Sequence, residues 1–320
     1  MIAIVVRELG GPEVLCVEEV PNPEPGPGEV VVRLHAIGVN PVETYIRTGA
    51  QGYAPVARPY TPGSDGAGVV EAVGAGVPAG LEGTRVFLSG ALTGTYAQMA
   101  RCRIDQVHPL PETLTFEQGA ALGVPYATAY YALFNRAQLR AGERVFVHGA
   151  SGGVGLATVQ LAVSNRNEVV GTAGTEEGRA LVRAQGVQIV YDHHTEGYFD
   201  DELDRDGRGF NVIVEMAAHV NLGRDLRALA RGGRVIVVGS RGPVEITPRD
   251  LMGRHADIRG MSLRTLRPEV LAHVYASLVE MLRTRHLRPA IHRRLPLSDA
   301  AEAHRAVIED RSLGKIVLIP

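Results

Sequence analysis

The sequence predicts an α/β protein in two parts, a β-rich unit followed by a doubly wound parallel sheet. Three observations carry this. The first third consists of short Val/Ile/Leu runs cut by Gly/Pro clusters. From Glu143 strand-like and helix-like segments alternate, and the first alternation brackets a glycine-rich turn, Gly149-Ala-Ser-Gly-Gly-Val-Gly155. Strands alternating with helices imply a parallel sheet covered on both faces. At 320 residues the chain is long for one domain, and two is the natural expectation.

Taken in order, Ile2-Val6, Val30-Val39, Gly68-Val73 and Arg85-Leu88 read as strands of a compact barrel-like domain. Clusters such as Pro21-Gly28 and Pro59-Gly63 punctuate them. Gly119 to Phe134 reads as an apolar helix, a crossover between the parts. Strand Val145-Val147 then precedes helix Gly153-Ser164, and strand Val169-Thr172 precedes helix Glu176-Gln185. Thr175 caps the latter, with Glu176 and Glu177 at the positive end of its dipole. Strand Val212-Glu215, helix Leu222-Ala230 and strand Arg234-Gly239 continue the rhythm. Pro268-Thr284 is an amphipathic helix. The tail, helix Ser298-Glu309 and strand Lys315-Ile319, is expected to return to the first domain.

Composition narrows the function. The chain is 45% hydrophobic and 21% charged, with net charge −2, mean hydropathy +0.02 and isoelectric point near 6.6. That suits a globular core and leaves no basic footprint for nucleic acid or anionic membrane. The start, Met1-Ile-Ala-Ile-Val-Val-Arg7, has no secretory pattern, and no apolar run nears the roughly 18 residues of a membrane span. A cytoplasmic protein without membrane contact is expected. Cys16 and Cys102, the only cysteines, fit a reducing compartment and are expected to be buried and inert. Lys315 is the only lysine, a bias read as codon composition.

The glycine turn admits two chemistries. A dinucleotide fingerprint, G-x-G-x-x-G, is nearly met by Ala150, Gly152 and Gly155, whereas a hydrolase elbow, G-x-S-x-G, is fully met by Gly149, Ser151 and Gly153. The elbow needs a downstream acid and histidine and upstream oxyanion glycines. His286, His292 and His304 come late, but nothing marks one, and no His-Gly-Gly run precedes the turn. The phosphate reading uses more residues. Gly152 and Gly153 let backbone approach an anion, Gly155 permits tight helix–strand packing, and the helix start offers N–H groups. Ser151 then donates a hydroxyl.

A dinucleotide domain selective for NAD usually carries an acid roughly 20 residues past the glycines, gripping the ribose 2′-OH. Here Gly171-Thr-Ala-Gly-Thr175 offers only small neutral residues, and the two glutamates belong to the helix. NADPH is therefore expected, with Arg179, His193 and Lys315 as candidate cations for its 2′-phosphate.

Several stretches together closely resemble the ζ-crystallin, or NADPH:quinone oxidoreductase, branch of the medium-chain dehydrogenase/reductase superfamily. They are Asn40-Pro-Val-Glu-Thr-Tyr-Ile-Arg47, Pro59-Tyr-Thr-Pro-Gly-Ser-Asp65, Val147-His-Gly-Ala-Ser-Gly-Gly-Val-Gly-Leu-Ala157, Gly171-Thr-Ala-Gly-Thr-Glu-Glu-Gly178 and Gly232-Gly-Arg-Val-Ile-Val-Val-Gly-Ser-Arg-Gly242. The resemblance runs from Gly10-Gly-Pro-Glu-Val-Leu15 to Gly314-Lys315. It implies a GroES-like catalytic domain, residues 1–124 and 266–320, and a Rossmann domain, residues 125–265, with the cofactor in a cleft between them. It also implies cofactor contacts at Tyr45, at Ser151, Gly152, Gly153 and Val154 (pyrophosphate), and at Gly174 and His193 (adenosine), His194 being the alternative histidine. Asn221, Val238, Gly239, Ser240, Arg241, Met261, Ser262 and Leu263 would follow towards the nicotinamide. Thr128, at the crossover, is a further cofactor candidate, or else a plain helix-face hydroxyl.

Where zinc alcohol dehydrogenases hold metal, this chain has Asn40 for the first cysteine and Ser64-Asp65 for His-Glu, and it lacks a four-cysteine cluster. No metal is expected; His193-His194 reads as a solvated loop. A quinone accepts hydride without a metal, and neutral donors can meet the charge developing on its oxygen. Asn40 and Tyr45 are the expected donors, unless Asn40 only ties a turn and Tyr45 only packs. Quinone reduction leads. Reduction of alkenals or enones by NADPH is the rival, and an RNA-binding role is disfavoured by the near-neutral charge. The resemblance leaves hydride and one-electron transfer both open. The partner is a small molecule, and a homo-oligomer, dimer or tetramer, is expected.

Overall fold

The first part of the chain forms seven strands: β1 Ile2–Val5, β2 Cys16–Glu19, β3 Glu29–Gly38, β4 Asp65–Val73, β5 Arg85–Ser89, β6 Met99–Arg103 and β7 Val107–Pro109. Six more follow, namely β8 Arg144–Val147, β9 Glu168–Thr172, β10 Ile189–Tyr191, β11 Phe210–Glu215, β12 Leu229–Val237 and β13 Asp257–Gly260. The chain ends with β14 Ile291–Pro296 and β15 Lys315–Ile319. This is a computed structural model, and it describes residues 1–50, 52–53, 56–78, 80–200, 207–284, 287–310 and 313–320.

The chain divides into two units, residues 1–124 with 279–320, and residues 125–278. In the first, a sheet in the order β14-β15-β3-β4-β5-β7, with β6 also on β3, lies beside the ribbon β1-β2. Strand β3 is central because nearly all its apolar residues are buried: Val30, Val31, Val32, Leu34, Ala36 and Ile37. Val30, Val32, Leu34 and Ile37 of these pack with Ile4, Leu88, Tyr96 and Leu318. The helix Ala300–Glu309 presents Ala300, Ala303 and Ala306 to the same core, at the spacing of one helical face.

The second unit is a parallel sheet in the order β10-β9-β8-β11-β12-β13. Strand β8 is buried throughout and β9 nearly so, as helices on both faces require. Phe146, Val170, Ile213, Leu226 and Val235 form the core on one face. The register pairs Val147 with Gly171 and Val214, Glu215 with Val237, and Val237 with Gly260, so the carboxyl ends line up along one edge. Strand order reverses direction between β8 and β11. In open α/β sheets, ligands bind beside that switch point at the carboxyl ends.

The structure departs from the sequence reading in four places. The return to the first unit falls at residue 279, inside the helix Pro268–Thr284, rather than at 266. A boundary at 266 assigns that helix whole to the first unit, but its buried Val274, Tyr275 and Leu278 lie before the break. Cys16 is exposed, because β2 is half of a two-stranded ribbon, and only Cys102 is buried. The expected crossover helix is broken into Phe116–Gly119, Gly123–Tyr130 and a wider turn, Tyr131–Arg136. Strands β2, β6, β7, β10, β13 and β14 were not anticipated. His286 lies outside the described residues.

Candidate cofactor site and buried polar clusters

After β8 the chain turns at Gly149, φ +57°, into the left-handed region that suits glycine. His148 N–H donates to the Val214 carbonyl (3.1 Å) and Ala150 N–H to the Thr172 carbonyl (2.7 Å), pinning the loop to both neighbouring strands. A Cβ on Gly155 would lie 2.2 Å from the Gly149 oxygen, so only glycine lets the helix Gly153–Ser164 start this close to the loop. That helix leaves its first-turn N–H groups without intrahelical partners and points its positive end at the turn. A dinucleotide pyrophosphate suits it. The elbow reading is rejected, because a nucleophile elbow strains the nucleophile itself. Among the described residues the non-glycines with positive φ are Gln138, Arg166 and His255; Ser151 is not one of them.

Beyond β9, Ala173 and Gly174 occupy the position of the usual acid. A Cβ on Gly174 would meet His193 Nε2 at 2.7 Å and His194 Nε2 at 2.8 Å, so both rings flank it and neither histidine alone is singled out. Burial, then the neighbouring His194, pulls the His193 pKa down. Thr175 Oγ accepts from Gly178 N–H (3.0 Å), the expected cap. Glu176 is held in the helix by Arg179 and Arg183, both at 2.9 Å. Arg179 also donates to Asp192 (2.7 Å) and to the Ala173 carbonyl (3.3 Å), which places a guanidinium beside Gly174.

The remaining expected contacts follow the same edge. Asn221 lies on the helix Ala218–Ala228 after β11. Val238 and Gly239 follow β12, both donating N–H to the Glu215 carbonyl (2.9 and 3.2 Å). Ser240 Oγ donates to the Gly242 carbonyl (3.0 Å), and Arg241 N–H donates to His219 Nδ1 (3.2 Å). Met261, Ser262 and Leu263 follow β13, with Met261 N–H on the Val237 carbonyl (3.2 Å). Each of the six strands thus delivers part of the expected site at its carboxyl end. Thr128 stands apart, buried on the helix Gly123–Tyr130.

In the first unit, Tyr45 lies on the helix Pro41–Thr48, its ring centroid 5.6 Å from that of Tyr53. Asn40 caps this helix, and the Glu43 carboxylate reaches back to its N–H (2.9 Å). The donor role expected for Asn40 does not fit this geometry. Its two amide hydrogens go to Glu43 (3.1 Å) and Asp65 (3.0 Å), while its carbonyl accepts from Lys315. Lys315 also pairs with Asp65 (2.9 Å) and is 4% exposed, so it cannot serve a 2′-phosphate. The network runs on from Glu43 through Tyr96 (2.7 Å) and His304 (3.1 Å) to Arg47 (3.1 Å). Burial, then Arg47, drives the His304 pKa down to about 3, and burial pushes the Glu43 carboxyl up. A cleft of about 830 Å³, lined by residues including Ile46, Tyr60 and Ser64, touches Glu43 but neither Asn40 nor Tyr45.

Sequence reasoning missed a second cluster, His148, Glu215 and Asp225, whose ligand-type atoms lie within 4.8 Å of one another. It also missed that Asn40, Lys315 and the acids form one network. A hint was present in each case. His148 directly precedes the glycine turn, and Lys315 is the only lysine of the chain.

Residues 26–112 match the family of alcohol dehydrogenase GroES-like domains, and residues 185–318 match that of zinc-binding dehydrogenases. The quinone oxidoreductase of Mus musculus is 48% identical over 325 residues, covering all of this chain and 98% of its own. A crystal structure of an NAD-dependent alcohol dehydrogenase superposes with TM-score 0.91 at 28% identity, covering all of both chains. A mycobacterial protein complexed with NADPH does so with TM-score 0.87 at 31% identity, again over all of both chains.

Proposed function

The chain belongs to the quinone oxidoreductase family, and on that premise we propose that it reduces quinones with NADPH and without a metal. The carrying observation is that six parallel strands bring the family's expected cofactor positions to one edge, with the glycine turn beside the switch point. NADPH supplies the reducing equivalents from its nicotinamide C4; everything else is positioning by the protein.

Ser151, Gly152, Gly153 and Val154 receive the pyrophosphate on backbone N–H groups and one hydroxyl. Gly174 carries no side chain at the adenosine ribose, and Arg179, which in this structure pairs with Glu176 and Asp192, supplies donors to a 2′-phosphate together with His193. Asn221, the backbone of Val238 to Arg241 and that of Met261 to Leu263 hold the nicotinamide half, with Thr128 a further contact. Tyr45 is the neutral donor to the quinone oxygen. Asn40 is a positioning residue that fixes the start of the Tyr45 helix through Glu43 and Asp65. No zinc-ligand set is available at Asn40, Ser64 and Asp65, since Asp65 is taken up by Lys315 and Asn40. The donor set suits a lysine, not a metal.

No helix among the described residues is long and apolar enough to cross a membrane. A homo-oligomer is part of this reading, and light scattering on the purified protein tests it. For the activity, NADPH oxidation is followed with ortho-quinones against 2-alkenals. Quinones should give at least tenfold higher kcat/KM, a difference of about 1.4 kcal/mol. Faster turnover of alkenals would assign the chain to double-bond reduction instead.

A further inference from the structure

The His148–Glu215–Asp225 cluster has no part in the reading above, yet it lies directly behind the proposed crevice. His148 follows the carboxyl end of β8 and Glu215 ends β11, the two strands that flank the switch point. Asp225 reaches them from the helix Ala218–Ala228. All three are buried, both acids completely. One imidazole nitrogen, His148 Nε2, faces both carboxylates, at 2.8 Å from Asp225 Oδ1 and 3.2 Å from Glu215 Oε2. The other oxygen of Asp225, and Glu215 Oε2 itself, have no hydrogen-bond partner among the described residues.

Two buried carboxylates that share one imidazole proton are one hydrogen short. A single N–H cannot satisfy both, and two adjacent negative charges in a low-dielectric interior repel strongly. The surroundings do not supply the missing charge. Phe146, Phe199 and Tyr198 pack around the imidazole side, with ring centroids of Phe146 and Phe199 at 4.8 and 5.8 Å from that of His148. His193 and Arg224 act on the cluster only through their charge, and Arg224 spends a donor on Asn221 Oδ1 (3.2 Å).

We propose that Glu215 and Asp225 share one proton, and that this protonated pair is the positioning device that aims Asn221 at the cofactor. The link to Asn221 is direct. Glu215 Oε1 accepts from Asn221 Nδ2 (3.3 Å) and from the Ala217 N–H, while Arg224 holds the opposite end of the same amide. Glu215 therefore sets the orientation of Asn221 and the start of its helix together. Burial supports the same picture, lifting the Glu215 and Asp225 carboxyls to about 7 each and lowering His148 to about 4. Two coupled acids of this kind give up one proton as a pair rather than as individuals. Approaching neutral pH from the acid side, the pair keeps a shared proton while the imidazole is neutral. Loss of the proton at higher pH puts a second buried charge behind a site that must accept an anionic dinucleotide.

This inference rests on Asn221 being a cofactor contact, so two readouts are needed. NADPH affinity of the full-length protein is titrated by nicotinamide fluorescence from pH 6 to 9, and infrared difference spectra over the same range follow protonated carboxyl groups. Wild type should bind NADPH at least threefold more weakly at pH 9 than at pH 7, and should lose one carboxylic-acid band. Glu215→Gln carries the hydrogen permanently, so it should retain wild-type affinity at pH 7, flatten the affinity profile and lack the band. If Glu215→Gln keeps both the profile and the band, proton sharing is wrong. Stoichiometric metal in the purified protein that disappears in Glu215→Gln would overturn it too. If the band behaves as expected but Asn221→Ala binds NADPH like wild type, the cofactor reading of Asn221 has failed and the shared proton stands.

Discussion

At the scale of single residues, the most informative is Lys315, the one lysine in a chain that otherwise uses arginine. A compact ammonium fits between Asn40 and Asp65, where a planar guanidinium with its fork of donors does not. Lys315→Met would leave Asp65 buried and unpaired, at about 3–5 kcal/mol, and Lys315→Arg should recover little of it. Urea unfolding measures both; a loss below about 1 kcal/mol for the methionine variant would mean that the network is not structural. The partners could not be found by reading along the chain, because Lys315 meets Asn40 and Asp65 across 275 and 250 residues. Periodicity reports local faces only, so the notion that Asn40 faces a substrate had nothing to correct it.

His304 gives a pH prediction at the same scale. Its pKa falls from an ordinary value near 6.5 to about 3 in the fold, so the unfolded chain binds the proton first. The stability it contributes is complete above about pH 6.5 and is lost as pH falls towards 3. Glu215 and Asp225 act in the opposite sense, losing stability as pH rises from about 4 towards 7, against the acid-side loss from His148 beside them. Hence His304→Gln, whatever it costs overall, should flatten the acid limb by up to about 1.4 kcal/mol per pH unit. Urea midpoints between pH 4.5 and 7 test this, and an unchanged slope would show that His304 titrates normally.

At the scale of elements, the glycine turn and the helix after it carry the phosphate argument. Gly153→Val adds a branched side chain in the first turn and blocks an anion, so NADPH should bind at least tenfold more weakly while circular dichroism keeps the native spectrum. Unchanged affinity would remove the turn from the site. The alternation of strand and helix was readable here because each βα unit has a buried strand of four to six residues and an amphipathic or apolar helix. Strand β10 has three residues, too short for a pattern to rise above chance. Strand β14, Ile-His-Arg-Arg-Leu-Pro, sits at a sheet edge and carries polar residues that mask it. The carboxyl-edge positions came from family resemblance, and the register aligns the strand ends that carry them.

At the scale of the whole molecule, one unit built from both ends of the chain encloses the insertion of a parallel-sheet unit in sequence. The resemblance put the junctions at residues 125 and 266, whereas the second change of unit falls within the helix Pro268–Thr284. The match to a family described as zinc-binding dehydrogenase raises the question of metal directly. With Asp65 satisfied by Lys315 and Asn40, full activity should survive prolonged treatment with a chelator. Zinc at one equivalent, lost together with turnover, would contradict this.

The central claim, that the carboxyl edge of the parallel sheet seats NADPH, is tested most directly by titrating NADPH and NADH separately at low and high ionic strength. A 2′-phosphate gains at least one charge-assisted hydrogen bond, worth roughly 1.5–3 kcal/mol. The Arg179 guanidinium, on the Ala173 carbonyl, lies beside Gly174. NADPH should therefore bind at least tenfold more tightly than NADH, the margin should shrink with added salt, and Arg179→Gln should narrow it further. Equal affinities, or tighter binding of NADH, would mean that Glu176 or Glu177 leaves its helical partners for the ribose, and that the adenosine end has been read wrongly.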